Sequence, residues 1–249
     1  MPHFKISIVI PAFNEEAVIE TTVRALSRAL SAAGMDHEIR VVDDQSTDTT
    51  WAILQRLAQE IPALKPFKNN GSGGYGLAVR AGLTSFEGDA VIVSMADGSD
   101  SPTDVIAYAR ALEAGHDCAF GDRFSGQTQV QGYPFVKKIL NRAGNTLIAV
   151  LTGYRHYRDF TNGFKGYRRP VVAAMSPLIS ADFNLTVEMS IKAVLSGASV
   201  KIIANTWRDR DGGVSKFNVG RLGPRYLMTI LYCLLGHSLS KAGARERKK

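Results

Sequence analysis

The chain has 249 residues, 45% apolar and 21% charged, with 9 prolines and 2 cysteines. This composition excludes disordered, collagenous and low-complexity classes, and the length suits one large domain with a sizeable core. Thirty basic against 23 acidic residues leave a formal charge of +7, which favours anionic partners. Cys118 and Cys233 lie far apart in apolar runs, so neither a disulfide framework nor a CxxC metal knuckle is available. A reducing cytoplasm is the expected compartment. Before Pro11 the apolar run covers only residues 6–10, too short for a signal-peptide core, and no run of about 18 apolar residues follows.

Apolar β-rich runs alternate with stretches of helical period. Ile6-Ser-Ile-Val-Ile10 predicts a buried strand that Pro11 ends. Ile19, Val23, Leu26 and Leu30 share one face of a helix, residues 38–42 form a second strand, and Trp51, Leu54, Leu57 and Ile61 mark a second helix. A Gly-rich turn over 71–76 leads into a third helix reaching about Phe86, followed by a strand over 90–95. Val105, Ile106, Ala109 and Leu112 give a fourth helix, and 117–121 a short strand. Beyond it, 135–151 reads as helix, 159–169 as loop and strand, 183–195 as helix and 200–204 as strand. Such alternation predicts an α/β fold, a mainly parallel sheet flanked by helices on both faces, in one continuous domain. Residues 226–235, YLMTILYCLL, are too few to span a bilayer and precede a basic tail. They suit either a core-packed terminal helix or a membrane-surface segment.

In open α/β sheets, ligands bind outside the carboxyl ends of the strands. There the first strand runs into Pro11-Ala-Phe-Asn-Glu-Glu16, the second into Asp43-Asp-Gln-Ser-Thr-Asp48 and the third into Asp97-Gly-Ser-Asp100. Helix capping accounts for single residues such as Asn14 and Asp48. It does not account for three converging acidic clusters, which repel one another unless a cation or a ligand's donors sit between them. Gly71-Ser-Gly-Gly-Tyr-Gly76 fits the dinucleotide pattern G-x-G-x-x-G, but the preceding 64–70 is a poor buried strand and two good strands come earlier. A Gly turn that lets a helix N-terminus approach an anion is the simpler expectation. Basic residues gather in the second half: Arg123 after a strand, Arg142 on a helix, and Arg210 and Lys216 in a loop able to hold phosphates. They are interspersed with acids, which argues against nucleic acid as a partner. The 5 histidines form no HExxH pair, and there is no G-x-S-x-G elbow.

In sequence order, Ile8-Val-Ile-Pro-Ala-Phe-Asn-Glu-Glu16, Val41-Val-Asp-Asp-Gln-Ser-Thr-Asp48, the Asp97 cluster and Gly213-Val-Ser-Lys216 resemble the motifs of family 2 glycosyltransferases with the GT-A fold. Asp159-Phe-Thr-Asn-Gly-Phe-Lys-Gly-Tyr-Arg168 and Phe183-Asn-Leu-Thr-Val-Glu188 are similar to segments of its dolichol-phosphate (polyprenyl-phosphate) mannosyltransferase branch. The matches run from residue 6 to about 217. The resemblance implies that Pro11, Ala12, Asn14, Glu15, Asp43, Asp44 and Gly71 line a nucleotide-sugar pocket with Lys216. It implies that Asp97, with Ser99, contacts a Mg²⁺ or Mn²⁺ ion on the donor diphosphate, that Arg210 supports the diphosphate in catalysis, and that Arg123 and Arg142 meet an acceptor phosphate. Asp159 and Glu188 fall in the implied active-site region.

Two positions depart from that pattern. Met95-Ala-Asp97 replaces the usual Asp-Ala-Asp, and Asp122 stands beside Arg123 where a serine is more usual. The processive Gln-x-x-Arg-Trp motif is absent, which argues for transfer of a single residue. The expected activity is inverting transfer of one sugar from a nucleotide-diphosphate sugar to a polyprenyl-phosphate or glycolipid acceptor. A phosphate acceptor needs no strong base; a sugar hydroxyl does, and Asp159 is then the first candidate. A GT-A domain over 1–225 and an amphipathic helix with basic tail over 226–249 would place the chain peripherally on the cytoplasmic face of a membrane. A non-catalytic nucleotide-sugar or lipid-binding protein and an NAD-dependent oxidoreductase are the alternatives from other classes.

Overall fold

The computed structural model describes residues 4–124, 130–131, 135–205, 207–208 and 219–246. In chain order the elements are β1 (Lys5–Ala12), α1 (Ile19–Ala32), β2 (Asp36–Asp43), α2 (Thr50–Glu60), β3 (Phe67–Lys68), α3 (Tyr75–Ser85), β4 (Ala90–Val93), α4 (Pro102–Glu113) and β5 (Cys118–Asp122). The second half adds β6 (Val130–Gln131), α5 (Phe135–Thr152), β7 (Lys165–Arg168), α6 (Arg169–Ala174), α7 (Leu185–Leu195), β8 (Val200–Ala204), β9 (Trp207–Arg208) and α8 (Val219–Glu246). Seven strands form one sheet in the order β3-β2-β1-β4-β7-β5-β8, and β6 pairs with β9 separately.

Period-2 alternation divides the core between the two faces of the sheet. Ile6, Ile8 and Ile10 of β1, with Ile39 and Val41 of β2, meet Val23 and Leu26 of α1 and Leu54 of α2 on one face. Val9 and Val42 meet Val79 and Leu83 of α3 on the other, where α7 and α8 also pack through Val187, Ile191, Ile230 and Cys233. Both cysteines are free and buried, and burial pushes the Cys233 thiol up to about 12. The expected two-sided α/β sheet is what the chain builds.

Its exception is β7, which runs antiparallel between β4 and β5, with Val93 opposite Lys165 and Cys118 opposite Tyr167. The strand order reverses between β1, which continues to β2, and β4, so the switch point opens beside the carboxyl ends of β1 and β4. The strand expected over 90–95 stops at Val93, and α8 begins at Val219, so the boundary expected at 225/226 falls inside one helix. Among the described residues no helix is long and apolar enough to cross a membrane.

Close packing of α3 on β1 depends on Gly82, where an added Cβ would lie 2.4 Å from Val9 Cγ1. Gly82→Val should therefore cost roughly 2–3 kcal/mol through overpacking. At about 2–4 °C per kcal/mol for a chain of this size, thermal unfolding would register the loss; an unchanged midpoint would show that the sheet yields at no cost.

Candidate active site

The carboxyl edge is built from four loops tied to one another. Pro11 sits in a central strand because β4 pairs with β1 only as far as Val9, so the missing N–H lies beyond the last rung of that ladder. Asn14 and Gln45 adopt left-handed backbone, with φ of 55° and 67°. Asn14 donates its amide to Ser46 Oγ at 3.0 Å and accepts from the Thr47 amide at 2.8 Å; Glu15 donates to Thr50 Oγ1, and Glu16 accepts from the Thr49 amide. The loops after β1 and β2 are thereby locked edge to edge. Asp44 clamps the Gly-rich loop, accepting from the Gly74 amide and from Asn69 Nδ2, both at 2.7 Å, while Gln45 Nε2 donates to the Gly71 carbonyl. Asp43 beside it is 1% exposed, and neither carboxylate oxygen has a hydrogen-bond partner among the described residues. A buried, unpaired carboxylate is costly, so this one is suited to a ligand's N–H or O–H donors.

At the end of β4, Asp97 is half-buried and accepts from the Ser99 amide at 3.0 Å. Asp100 turns the other way, into the core, accepting from Ser94 Oγ at 3.1 Å and the Met95 amide at 2.8 Å. Among the described residues no three His, Cys, Asp or Glu side chains group to hold a metal. Asp97 with Ser99 alongside is nonetheless a hard oxygen site that suits a divalent ion shared with a diphosphate, since Mg²⁺ is commonly held by one or two carboxylates plus phosphates. The Gly-rich segment is not a dinucleotide cradle. It follows a two-residue edge strand, and the first amides of α3, Gly76 and Leu77, donate to the Ala181 carbonyl at 2.8 and 3.2 Å rather than facing a pyrophosphate.

Across the edge, the turn after β5 carries Arg123. Its backbone amide and Nε donate to Asp159 Oδ2 at 3.0 and 2.9 Å, and Nη2 donates to Oδ1 at 2.7 Å. Asp159 is fully buried, and both its oxygens are engaged in aiming a guanidinium. The Arg142 guanidinium lies 5.5 Å from the Phe124 ring, as does that of Arg123, so the two arginines meet at one aromatic ring. Asp122 accepts from the Phe124 amide at 2.8 Å and shapes this turn. Arg210 and Lys216 fall outside the described residues.

The glycosyl transferase family 2 model matches residues 7–175. The chain belongs to glycosyltransferase family 2. It is 30% identical over 193 residues to a dolichol-phosphate mannosyltransferase of Pyrococcus furiosus, covering 77% of this chain and 54% of that protein. It is 31% identical to a polyprenol monophosphomannose synthase of Mycolicibacterium smegmatis, covering 85% of this chain and 80% of that one. The chain thus spans about half the length of the Pyrococcus relative. A solved structure of similar fold is glucosyl-3-phosphoglycerate synthase from Mycobacterium tuberculosis in complex with Mn²⁺ and UDP-glucose: TM-score 0.73, 18% identity, 93% of this chain and 79% of that one.

Several residues of this glycosyltransferase act through their neighbours. Glu188, read from sequence only as part of the active-site region, accepts from the Ile179 and Ser180 amides and from Lys192 Nζ. Burial pushes its carboxyl up, but Lys192 and Ser180 outweigh this and hold it below its ordinary value. It thereby fixes the loop whose Ala181 carbonyl receives α3. Lys165, inside the apolar run Gly-Phe-Lys-Gly-Tyr, is fully buried; it donates to the Phe160 and Asn162 carbonyls, and burial lowers it to about 7. A lysine within an apolar strand was its only signal in the sequence, and nothing marked Asn69 as the partner of Asp44.

Burial also raises Asp100 to about 7, against the Met95 amide and with the Asp97 charge adding to the rise. The folded carboxyl then keeps its proton from near 3.8, its ordinary value, up to about 7, where the unfolded chain has lost it. The linkage sign follows: stability falls as pH rises through that window. Asp100→Asn should flatten this part of the profile, read as urea stability at pH 5 and pH 7; equal slopes for the two proteins would show that Asp100 ionises normally.

Proposed function

We propose that this chain transfers a single sugar, with inversion, from a nucleoside-diphosphate sugar to a polyprenyl-phosphate-type acceptor at a membrane surface. The names of the two curated relatives support the acceptor class. On the donor side, Asp43 offers its two unpartnered oxygens to the nucleoside's donors, and Asp97 with Ser99 would hold the divalent ion. When bound, that ion neutralises charge on the leaving diphosphate. Arg210 and Lys216 are assigned to the same phosphates.

The observation that carries the acceptor assignment is the Asp159–Arg123 pair. A sugar hydroxyl needs a base to take its proton, and the carboxylate expected for that work is buried under three bonds from Arg123. A phosphate monoester is largely ionised at pH 7, with a second pKa of about 6. It needs orientation and charge compensation rather than deprotonation, and Arg123, held rigid by Asp159, with Arg142 across the Phe124 ring, suits both. The decisive assay is transfer of labelled mannose from GDP-mannose, or glucose from UDP-glucose, to a short polyprenyl phosphate. Asp159→Asn should raise the acceptor KM about tenfold or more while leaving the shape of the pH–rate profile intact. Loss of the basic limb of that profile, or transfer to a glycolipid hydroxyl alone, would return Asp159 to the role of base.

Exposed apolar side chains on two helices support the membrane placement. Ile139, Leu140, Leu147, Val150 and Leu151 project from α5, and Leu227, Met228, Leu231, Leu235 and Leu239 from α8. Both helices pack against α7. Amphipathic helices with nearby basic residues bind anionic interfaces through buried apolar area and charge together. The chain should float with phosphatidylglycerol vesicles at low salt, and the pair Leu235→Glu and Leu239→Glu should abolish flotation without lowering thermal stability. Flotation that survives the pair would move the contact elsewhere.

A further inference from the structure

Behind the Asp159–Arg123 pair lies a second layer of buried polar bonds. Residues 157–162 turn across the end of β5: the Asn162 amide donates to the Asp159 carbonyl at 3.0 Å, and Asn162 Nδ2 donates to the Gly121 carbonyl at 3.1 Å. Tyr157, fully buried, shares its one hydroxyl proton between the Gly121 carbonyl at 2.8 Å and the Asp159 carbonyl at 2.6 Å. Lys165 enters the same turn from β7, where its register partners, Val93 on β4 and Phe120 on β5, are apolar. Its ammonium donates to the Phe160 carbonyl at 2.9 Å and to the Asn162 carbonyl. Nζ also lies 5.4 Å from the centre of the Phe120 ring and 5.7 Å from that of Tyr157. Burial disfavours this ammonium and lowers Lys165 to about 7, so at neutral pH its charge weakens the fold. An apolar side chain of similar volume would fill the space at less cost. What the ammonium adds is direction, since it is a shared donor for the two carbonyls that flank Thr161.

Resting on the acceptor reading above, we propose that Lys165 and Tyr157 are positioning residues for the acceptor: they brace the 159–162 turn against the end of β5, and the braced turn sets the angle at which Asp159 presents Arg123 to the acceptor's phosphate. Both are fully buried, so neither touches the substrate. They act through one guanidinium, which Asp159 holds by Nε and Nη2. Loss of either loosens that guanidinium and weakens acceptor binding. The donor edge, built on the ends of β1, β2 and β4, is left unchanged.

The test is steady-state transfer by the full chain from GDP-mannose or UDP-glucose to a short polyprenyl phosphate. Tyr157→Phe and Lys165→Met should each raise the acceptor KM about tenfold, while kcat and the donor KM stay within about twofold of the wild type. Arg123→Lys removes the two-bonded fork to Asp159. In that background Lys165→Met should raise the acceptor KM by less than about twofold further, because residues that act through one group are not additive. An acceptor KM unmoved by Tyr157→Phe overturns the proposal even if Lys165→Met fails to fold. So does an effect of either variant that persists in full in the Arg123→Lys background, or a donor KM that rises with the acceptor KM. In each of those cases the wild type still transfers to polyprenyl phosphate, so the proposed function stands and the positioning inference alone falls. A wild-type chain that transfers to no polyprenyl phosphate overturns both.

Discussion

Like charge has to be managed at the carboxyl edge of this sheet before anything else can be built there. Asp43, Asp44, Asp97 and Asp100 all fall at the ends of β2 and β4, and four carboxylates facing one cavity would repel strongly. The chain separates their tasks by direction and partner. Asp44 spends its charge on backbone and amide donors, and so fixes the Gly-rich loop. Asp100 is turned inward and burial raises its carboxyl to about 7, which lessens the charge it adds at the β4 turn. What remains is a buried acceptor at Asp43 and a half-buried one at Asp97, two positions where a ligand's donors or a cation lower the free energy of the fold itself.

Across the site the sign of the charge changes and the logic inverts. Arg123 and Arg142 approach one aromatic ring, and their mutual repulsion is offset on one side by the buried Asp159. A guanidinium held by two bonds to a buried carboxylate loses little further freedom when an anion arrives, which is the physical meaning of preorganisation. Asn141 and Asn145 of α5 bond to Thr161, so the helix carrying Arg142 and the loop carrying Asp159 move as one piece.

Much of this was legible in the sequence, and what was not has a common cause. Strand and helix periods reported β1, α1, β2 and α4 closely, because their faces are set by local alternation of apolar and polar residues. Asp43, Asp44 and Asp97 were legible as neighbours at the carboxyl edge because three strand ends carried acids at once. The direction of β7 was not, since a four-residue strand reads the same in either orientation and only its neighbours decide. Nor was the partner of Asp159 legible: it lies 36 residues away, and a bidentate pairing has no local pattern. Nor did the position of Asp100 in the acidic cluster show that its side chain turns into the core. In each case contacts formed only in the folded chain decide the outcome.

The reversal of β7 has a consequence for the order in which the molecule can be assembled. In a fully parallel sheet the segment leading into a strand arrives at the amino edge; because β7 runs backwards, residues 159–164 arrive at the carboxyl edge, beside the end of β4, where Val93 meets Lys165. That pairing spans 72 residues, from 93 to 165, against 31 for the Ile6–His37 rung of β1 with β2. The acidic loops lie within residues 11–100, where β4 itself closes onto β1 across 84 residues, Ile6 with Ala90, and residues 159–164 close onto β4 from later in the chain. Vectorial synthesis therefore completes the sequence of the acidic loops before Arg123 and Arg142 exist.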